Sequence, residues 1–300
     1  MNKTNSIELD DDSLRLAISF PENFQILESI LEEETKRLKE LRDQRLDFGR
    51  RLDKDEFLEQ MQLMTGKVDA FLDKTSNTAP DFRFFSVFKL GKNTKTIIVP
   101  YVCCPIVGGL SVFNTIHEPS VLSVGIGIAA AVGLAINAYK HYELAMSFGY
   151  DYETKTVICP WVKGANLIPS AAHEYTHHLQ VESGLNEPKE KIIFKEGHAR
   201  GVQRFIAGMY AQEMDNKAYT YVTTDYSVAE FRSVYLWMCK HLKRIPKPDL
   251  LNVESSRDKH EALSRRCKGG FPSDQAIGNV AFQILEREHG PEIYANSLKF

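Results

Sequence analysis

Apolar residues recur at three- and four-residue steps through the first quarter of the chain. Phe24, Leu27, Leu31, Leu38, Leu41 and Leu46 stand among charged residues between Pro21 and Phe48. That spacing predicts one long helix with a single apolar stripe, stopped by Gly49. Asp53 followed by Glu56 reads as a capping box opening a second helix that runs to Lys74. The two helices form a hairpin region, residues 1–78, packed on the rest of the protein. Thr75 to Pro80 is a loop.

Beyond that loop the period changes. Phe82 to Leu90 is rich in aromatic residues, residues 91–95 form a turn, and Thr96 to Val102 reads as a second strand. A third strand is expected at Lys155–Cys159. Further on the helical period returns. A helix is predicted over Glu196–Ala211, with Val202, Phe205, Ile206 and Met209 as its core stripe. A polar stretch carrying Tyr219, Tyr221 and Tyr226 follows, then helices over Phe231–Leu242 and Asp274–Glu288, the last stopped by Gly290-Pro291. The order predicts an α+β fold. It comprises a small mixed sheet, a pair of active-site helices, a helical N-terminal region and a mostly helical C-terminal part. Residues 79–300 make the second domain.

One segment breaks the pattern. Residues 121–136 are sixteen positions without a charge, rich in Gly and Ala. A spanning helix needs about twenty. The favoured reading is therefore a buried helix; a membrane hairpin over 97–138 is the alternative.

Composition narrows the classes. With 43% apolar and 26% charged residues in 300, the chain can bury a proper core. A net charge of −3 without a basic run gives no footprint for nucleic acid. The polar, acidic start lacks a basic and apolar leader, so a cytoplasmic setting is expected. Five cysteines, with Cys103 and Cys104 adjacent and no C-x-x-C spacing, point to free thiols rather than disulfides or a thiolate metal site.

The chemistry concentrates at Ser170-Ala-Ala-His173-Glu174-Tyr-Thr-His177-His178-Leu-Gln180. On a helix, His173 and His177 project from one face, one turn apart. Two imidazoles so placed can bind one zinc ion, with Glu174 beside them as a base for a zinc-bound water. Ser170 reads as the N-cap of this helix and Gly184 as its stop. Catalytic zinc takes three protein ligands, and Glu196 offers the third. Eighteen residues separate it from His177, enough for a turn at Gly184–Pro188 and a second helix capped by Asn186. His178 sits about 100° around from His177 and leaves the metal face. His198, two residues past Glu196, points away from it.

H-E-x-x-H followed by Glu196 in an E-G-x-A context resembles the gluzincin metallopeptidases, closest to the peptidase-MA-like branch. The resemblance covers Thr156 to Ala211 and extends to the closing helix around Ala276–Gly290. It implies one Zn2+ held by His173, His177 and Glu196, with Glu174 as general base for hydrolysis of a peptide or protein substrate. It also implies a sheet edge that pairs with extended substrate. Two positions depart from the family. Arg200 stands where some members carry an Asp that orients a histidine. Gln275 stands where aminopeptidase-like members carry a Tyr that stabilises the oxyanion. Tyr219, Tyr221, Tyr226 and His260 are the remaining donors for that oxyanion. The other readings are a degenerate metal-binding scaffold with a regulatory role and a membrane-associated protease.

Overall fold

The computed structural model describes residues 10–85, 148–160, 162–185, 191–251 and 272–298. The chain forms two compact units. One comprises Met1–Phe82, Gly149–Val157 and Val162–Phe300; the other comprises Arg83–Phe148 and Ile158–Trp161. The second falls almost wholly outside the described residues, and with it the expected strand at 96–102 and the uncharged segment 121–136. Among the described residues no helix is long and apolar enough to cross a membrane.

The described elements are mostly helical, with one small sheet, as the α+β expectation has it. They are α1 (Asp11–Ser19), α2 (Pro21–Arg42), α3 (Lys54–Leu72), β1 (Asp81–Phe85), β2 (Gly149–Asp151) and β3 (Thr156–Pro160). Then come α4 (Gly164–Glu182), α5 (Ile192–Glu213), α6 (Ala218–His241), α7 (Pro248–Leu251), α8 (Asp274–His289) and α9 (Glu292–Asn296). The three strands form one sheet in the order β1-β3-β2.

Several boundaries differ from the pattern. The sequence gives no helix before Pro21, yet α1 forms there and buries Leu14 and Ile18, one turn apart. Helix α2 stops at Arg42, not Phe48. The Asp47 carboxylate takes the Gly49 N–H at 2.8 Å, a local turn that competes with helix. The freed carbonyls of Phe48 and Arg50 accept from the N–H groups of Ala165 and Gly164, each at 3.3 Å. They thereby serve the first turn of α4, where no side chain caps. Helix α4 accordingly begins at Gly164, not after Ser170, and Pro169 lies inside it. Its end is as expected. Leu185 N–H bonds the Gln180 carbonyl and Gly184 N–H the Val181 carbonyl, both at 3.0 Å, with Gly184 at φ +96°. That is a Schellman stop, which favours glycine.

The capping box of α3 forms as read: Asp53 accepts from the N–H groups of Asp55 and Glu56, and Glu56 accepts from Asp53 N–H at 3.1 Å. Helix α5 starts at Ile192, later than a cap at Asn186 requires. Its first N–H groups, from Ile193 and Phe194, donate to the Asp11 carboxylate at 3.2 and 3.0 Å, so α1 caps α5 from a distance in sequence. Within the expected α5 stripe, Val202 and Ile206 are buried, while Phe205 is exposed and stacks on Phe71 at 3.7 Å. Helix α6 is twice as long as predicted and takes in Tyr219, Tyr221 and Tyr226, with Tyr219 buried, where a polar stretch is expected.

Helix α5 packs most extensively on α8, next on α4. Glycines permit the first contact. A methyl group on Gly197 would overlap the Gly278 backbone, one on Gly278 would overlap the Ile193 carbonyl, and one on Gly201 would overlap the Tyr294 ring. Gly197 follows Glu196 directly, so this close approach fixes the helix that carries the expected third ligand.

Candidate metal centre

Both expected histidines lie on the face of α4 that packs against α5. His173 is 6% and His177 4% exposed, and the Glu196 side chain 17%. Nε2 of His173 lies 3.4 Å from Glu196 Oε2, Nε2 of His177 lies 3.6 Å from Glu196 Oε1, and the two Nε2 atoms are 3.2 Å apart. The rings meet at 88°. Two atoms each about 2.05 Å from a tetrahedral ion are about 3.3 Å apart. The three distances match that triangle, and this is the group among the described residues whose donor atoms converge closely enough to hold a metal ion. Two of its atoms, His173 Nδ1 and Glu196 Oε2, are buried without a hydrogen-bond partner among the described residues, which fits a carboxylate oxygen awaiting a cation.

Electrostatics agree. Burial alone would raise the Glu196 carboxyl, but the nearby His173, His177 and Arg200 hold it well below the usual carboxylate range. Burial also lowers His173, outweighing the pull of Glu196, so its imidazole stays neutral, the form that binds metal. Glu174 follows His173 on α4 and is partly exposed.

Behind His177 lies a buried chain of hydrogen bonds. Gln180, one turn on along α4, has Oε1 2.8 Å from His177 Nδ1. Its Nε2 donates to the Lys195 carbonyl at 3.0 Å and stands 3.2 Å from His198 Nδ1. His198 Nε2 is 2.9 Å from the Tyr294 carbonyl. Burial lowers His198 to about 4, so it is neutral near pH 7. His198 thus lies outside the candidate ligand group yet reaches it through Gln180. The i, i+3 spacing of His177 and Gln180 is a signal the sequence offers; nothing local to His198 announces its part.

His178 faces the other way. The Thr78 carbonyl, 2.7 Å from Nε2, accepts only, so Nε2 carries the hydrogen and Nδ1 accepts from Tyr150 O–H at 3.0 Å. Glu182 anchors the same clip, accepting from Ser76 and Thr78 hydroxyls and from the N–H groups of Asn77 and Thr78 at 2.7 to 3.0 Å. This ties residues 76–78 to α4 and gives His178 a structural role.

Arg200, one turn past Glu196, is committed to a polar cluster. Its Nη2 lies 3.4 Å from Glu230 Oε1, Nη1 donates to Gln203 at 2.8 Å, and Asn279 donates to Glu230 at 2.8 Å. The Tyr226 ring faces the guanidinium at 5.4 Å. Tyr219 instead packs on Tyr210 and Tyr221 on Phe48; His260 lies outside the described residues. Tyr152, in the β2–β3 turn, is a group the sequence reading passed over. Lys195 Nζ lies 5.3 Å over its ring. Burial, with added repulsion from Glu196 and Glu174, pushes its phenol up to about 12, so it stays a neutral donor.

No protein family, curated protein or solved structure compared with this chain matches it. A His-His-Glu group able to hold a metal ion is therefore established from the chain's own geometry.

Proposed function

We propose that the chain is a cytoplasmic zinc metallopeptidase of the gluzincin type, hydrolysing peptide bonds of a peptide or protein substrate. The observation that carries this reading is the convergence of His173, His177 and Glu196 from two helices, with Glu174 next to the first ligand. The cytoplasmic part of the reading is supported by cysteine usage.

His173, His177 and Glu196 would hold the ion. Bound there, zinc supplies Lewis acidity that polarises a carbonyl and brings the pKa of a water toward about 7. Glu174 takes the proton of the attacking water and passes it to the leaving amine. Gln180 and Glu196 keep their lone pairs directed by the packing of α4 on α5. A neutral phenol at Tyr152, within electrostatic range of both Glu174 and Glu196, is suited to donate to an oxyanion.

Glu174→Gln separates the readings. The variant should bind metal as the wild type does and lose hydrolysis of a casein-type substrate by about 10²- to 10⁴-fold. Equal cleavage by both proteins contradicts the proposal. Metal binding without Glu174-dependent cleavage supports the second reading, a degenerate metal-binding scaffold. That reading is favoured by two observations: Arg200 occupies the position of the family's orienting acid, and His173 Nδ1 has no hydrogen-bond partner among the described residues.

A further inference from the structure

The hydrogen-bond chain behind the metal centre has a direction that can be worked out atom by atom. It begins at two carbonyls, which only accept. His198 Nε2 faces the Tyr294 carbonyl at 2.9 Å, so that nitrogen carries the hydrogen. The other ring nitrogen, Nδ1, faces the Gln180 amide nitrogen, a donor, and so presents a lone pair. Gln180 Nε2 donates to the Lys195 carbonyl at 3.0 Å, which fixes the amide orientation, and its second hydrogen meets the His198 Nδ1 lone pair at 3.2 Å. The amide oxygen is therefore the atom facing His177 Nδ1 at 2.8 Å, and it can only accept. His177 must carry its hydrogen on Nδ1. Nε2 is left with a lone pair aimed at the ligand triangle.

The other histidine lacks such a chain. Its Nδ1 is buried without a partner among the described residues. With His177 Nε2 an acceptor, the 3.2 Å contact between the two Nε2 atoms places the His173 hydrogen on Nε2.

We propose that Gln180 and His198 are positioning residues that preset His177 as the Nδ1–H tautomer, so that the two histidines enter metal binding from opposite tautomers. His177 is ready to ligate, whereas His173 ligates only after its hydrogen resides on Nδ1. This rests on the metal-binding part of the preceding reading and not on peptide hydrolysis.

The direct test is long-range ¹H–¹⁵N correlation on the metal-free wild-type protein, labelled at histidine nitrogens, near pH 7. His177 should give the Nδ1–H pattern and His173 the Nε2–H pattern; adding Zn2+ should bring both to Nδ1–H. An Nε2–H pattern for His177 in the metal-free protein overturns the proposal. A second measurement compares zinc affinity, by competition with a chromophoric chelator, in variants that fold. Gln180→Met should weaken binding about 10- to 100-fold, as loss of such outer partners does. His198→Phe should do likewise, while His198→Asn, which restores an acceptor near Nδ1, should recover most of the loss. Wild-type affinity in both Gln180→Met and His198→Phe overturns it. Absence of peptidase activity in any of these proteins would bear on the preceding reading alone and leave both measurements intact.

Discussion

Glu182 illustrates how one carboxylate can hold a loop to a helix. Burial would raise its pKa, but hydrogen bonds from Thr78, Ser76 and the Asn77 N–H outweigh burial and lower it below its ordinary 4.5. A carboxylate depressed on folding adds stability above its ordinary value, and that stability is lost as pH falls through the folded value. Glu182→Gln should therefore cost about 1–3 kcal/mol near pH 7, since a buried acceptor of several donors is replaced by a partial one. The difference from wild type, measured by denaturant unfolding, should shrink as pH drops below about 4. A difference that grows on acidification would contradict this reading of the clip. At this scale the sequence was informative where chemistry repeats a known spacing. His173, His177 and Glu196 were legible because helix period and ligand count constrain them. The pairing of Gln180 with His198 was not, since it depends on how two helices cross, and Tyr152 lies in a turn whose direction no periodicity reports.

Elements were legible where one face meets water. The apolar stripe of α2 and the capping box of α3 gave those helices with correct starts. Helix α6 shows the converse. It is buried on nearly all sides, with Thr223, Asp225, Glu230 and Arg232 inside, so no polar face marks its first half. The start of α4 was misread because Pro169 looks like a boundary, whereas residues 48–50 supply acceptors that allow an earlier start. The close crossing of α5 on α8 leads to a sharp expectation. Gly278→Ala should destabilise by about 1–3 kcal/mol through overpacking and, by pushing α5 off its seat, weaken metal binding as well. Gly208→Ala, on α5 with open space around it among the described residues, is the control and should weaken neither. Thermal unfolding and zinc affinity of the two variants check this; equal behaviour would show that the glycine contact does not place Glu196.

On the scale of the molecule, the N-terminal helices belong to the same compact unit as the metal helices. Helix α2 buries Phe24, Leu27, Ile30, Leu31, Leu38 and Leu41, with its main packing against α6, while Asp11 caps α5. The centre is thus built from helices whose ends are held by distant parts of the chain, and a preformed site of this kind links ion binding to folding. The measurement that bears on it most directly is a zinc titration of the purified chain, by calorimetry and thermal unfolding, beside His177→Ala and Glu196→Ala. The wild type should take up one ion per chain at the His173, His177 and Glu196 group. It should gain about 2.7 kcal/mol of stability at a hundredfold excess over Kd, while both variants, folded by circular dichroism, should lose the uptake and the gain. A wild type that binds no zinc, or variants that bind it equally well, would contradict the metal centre.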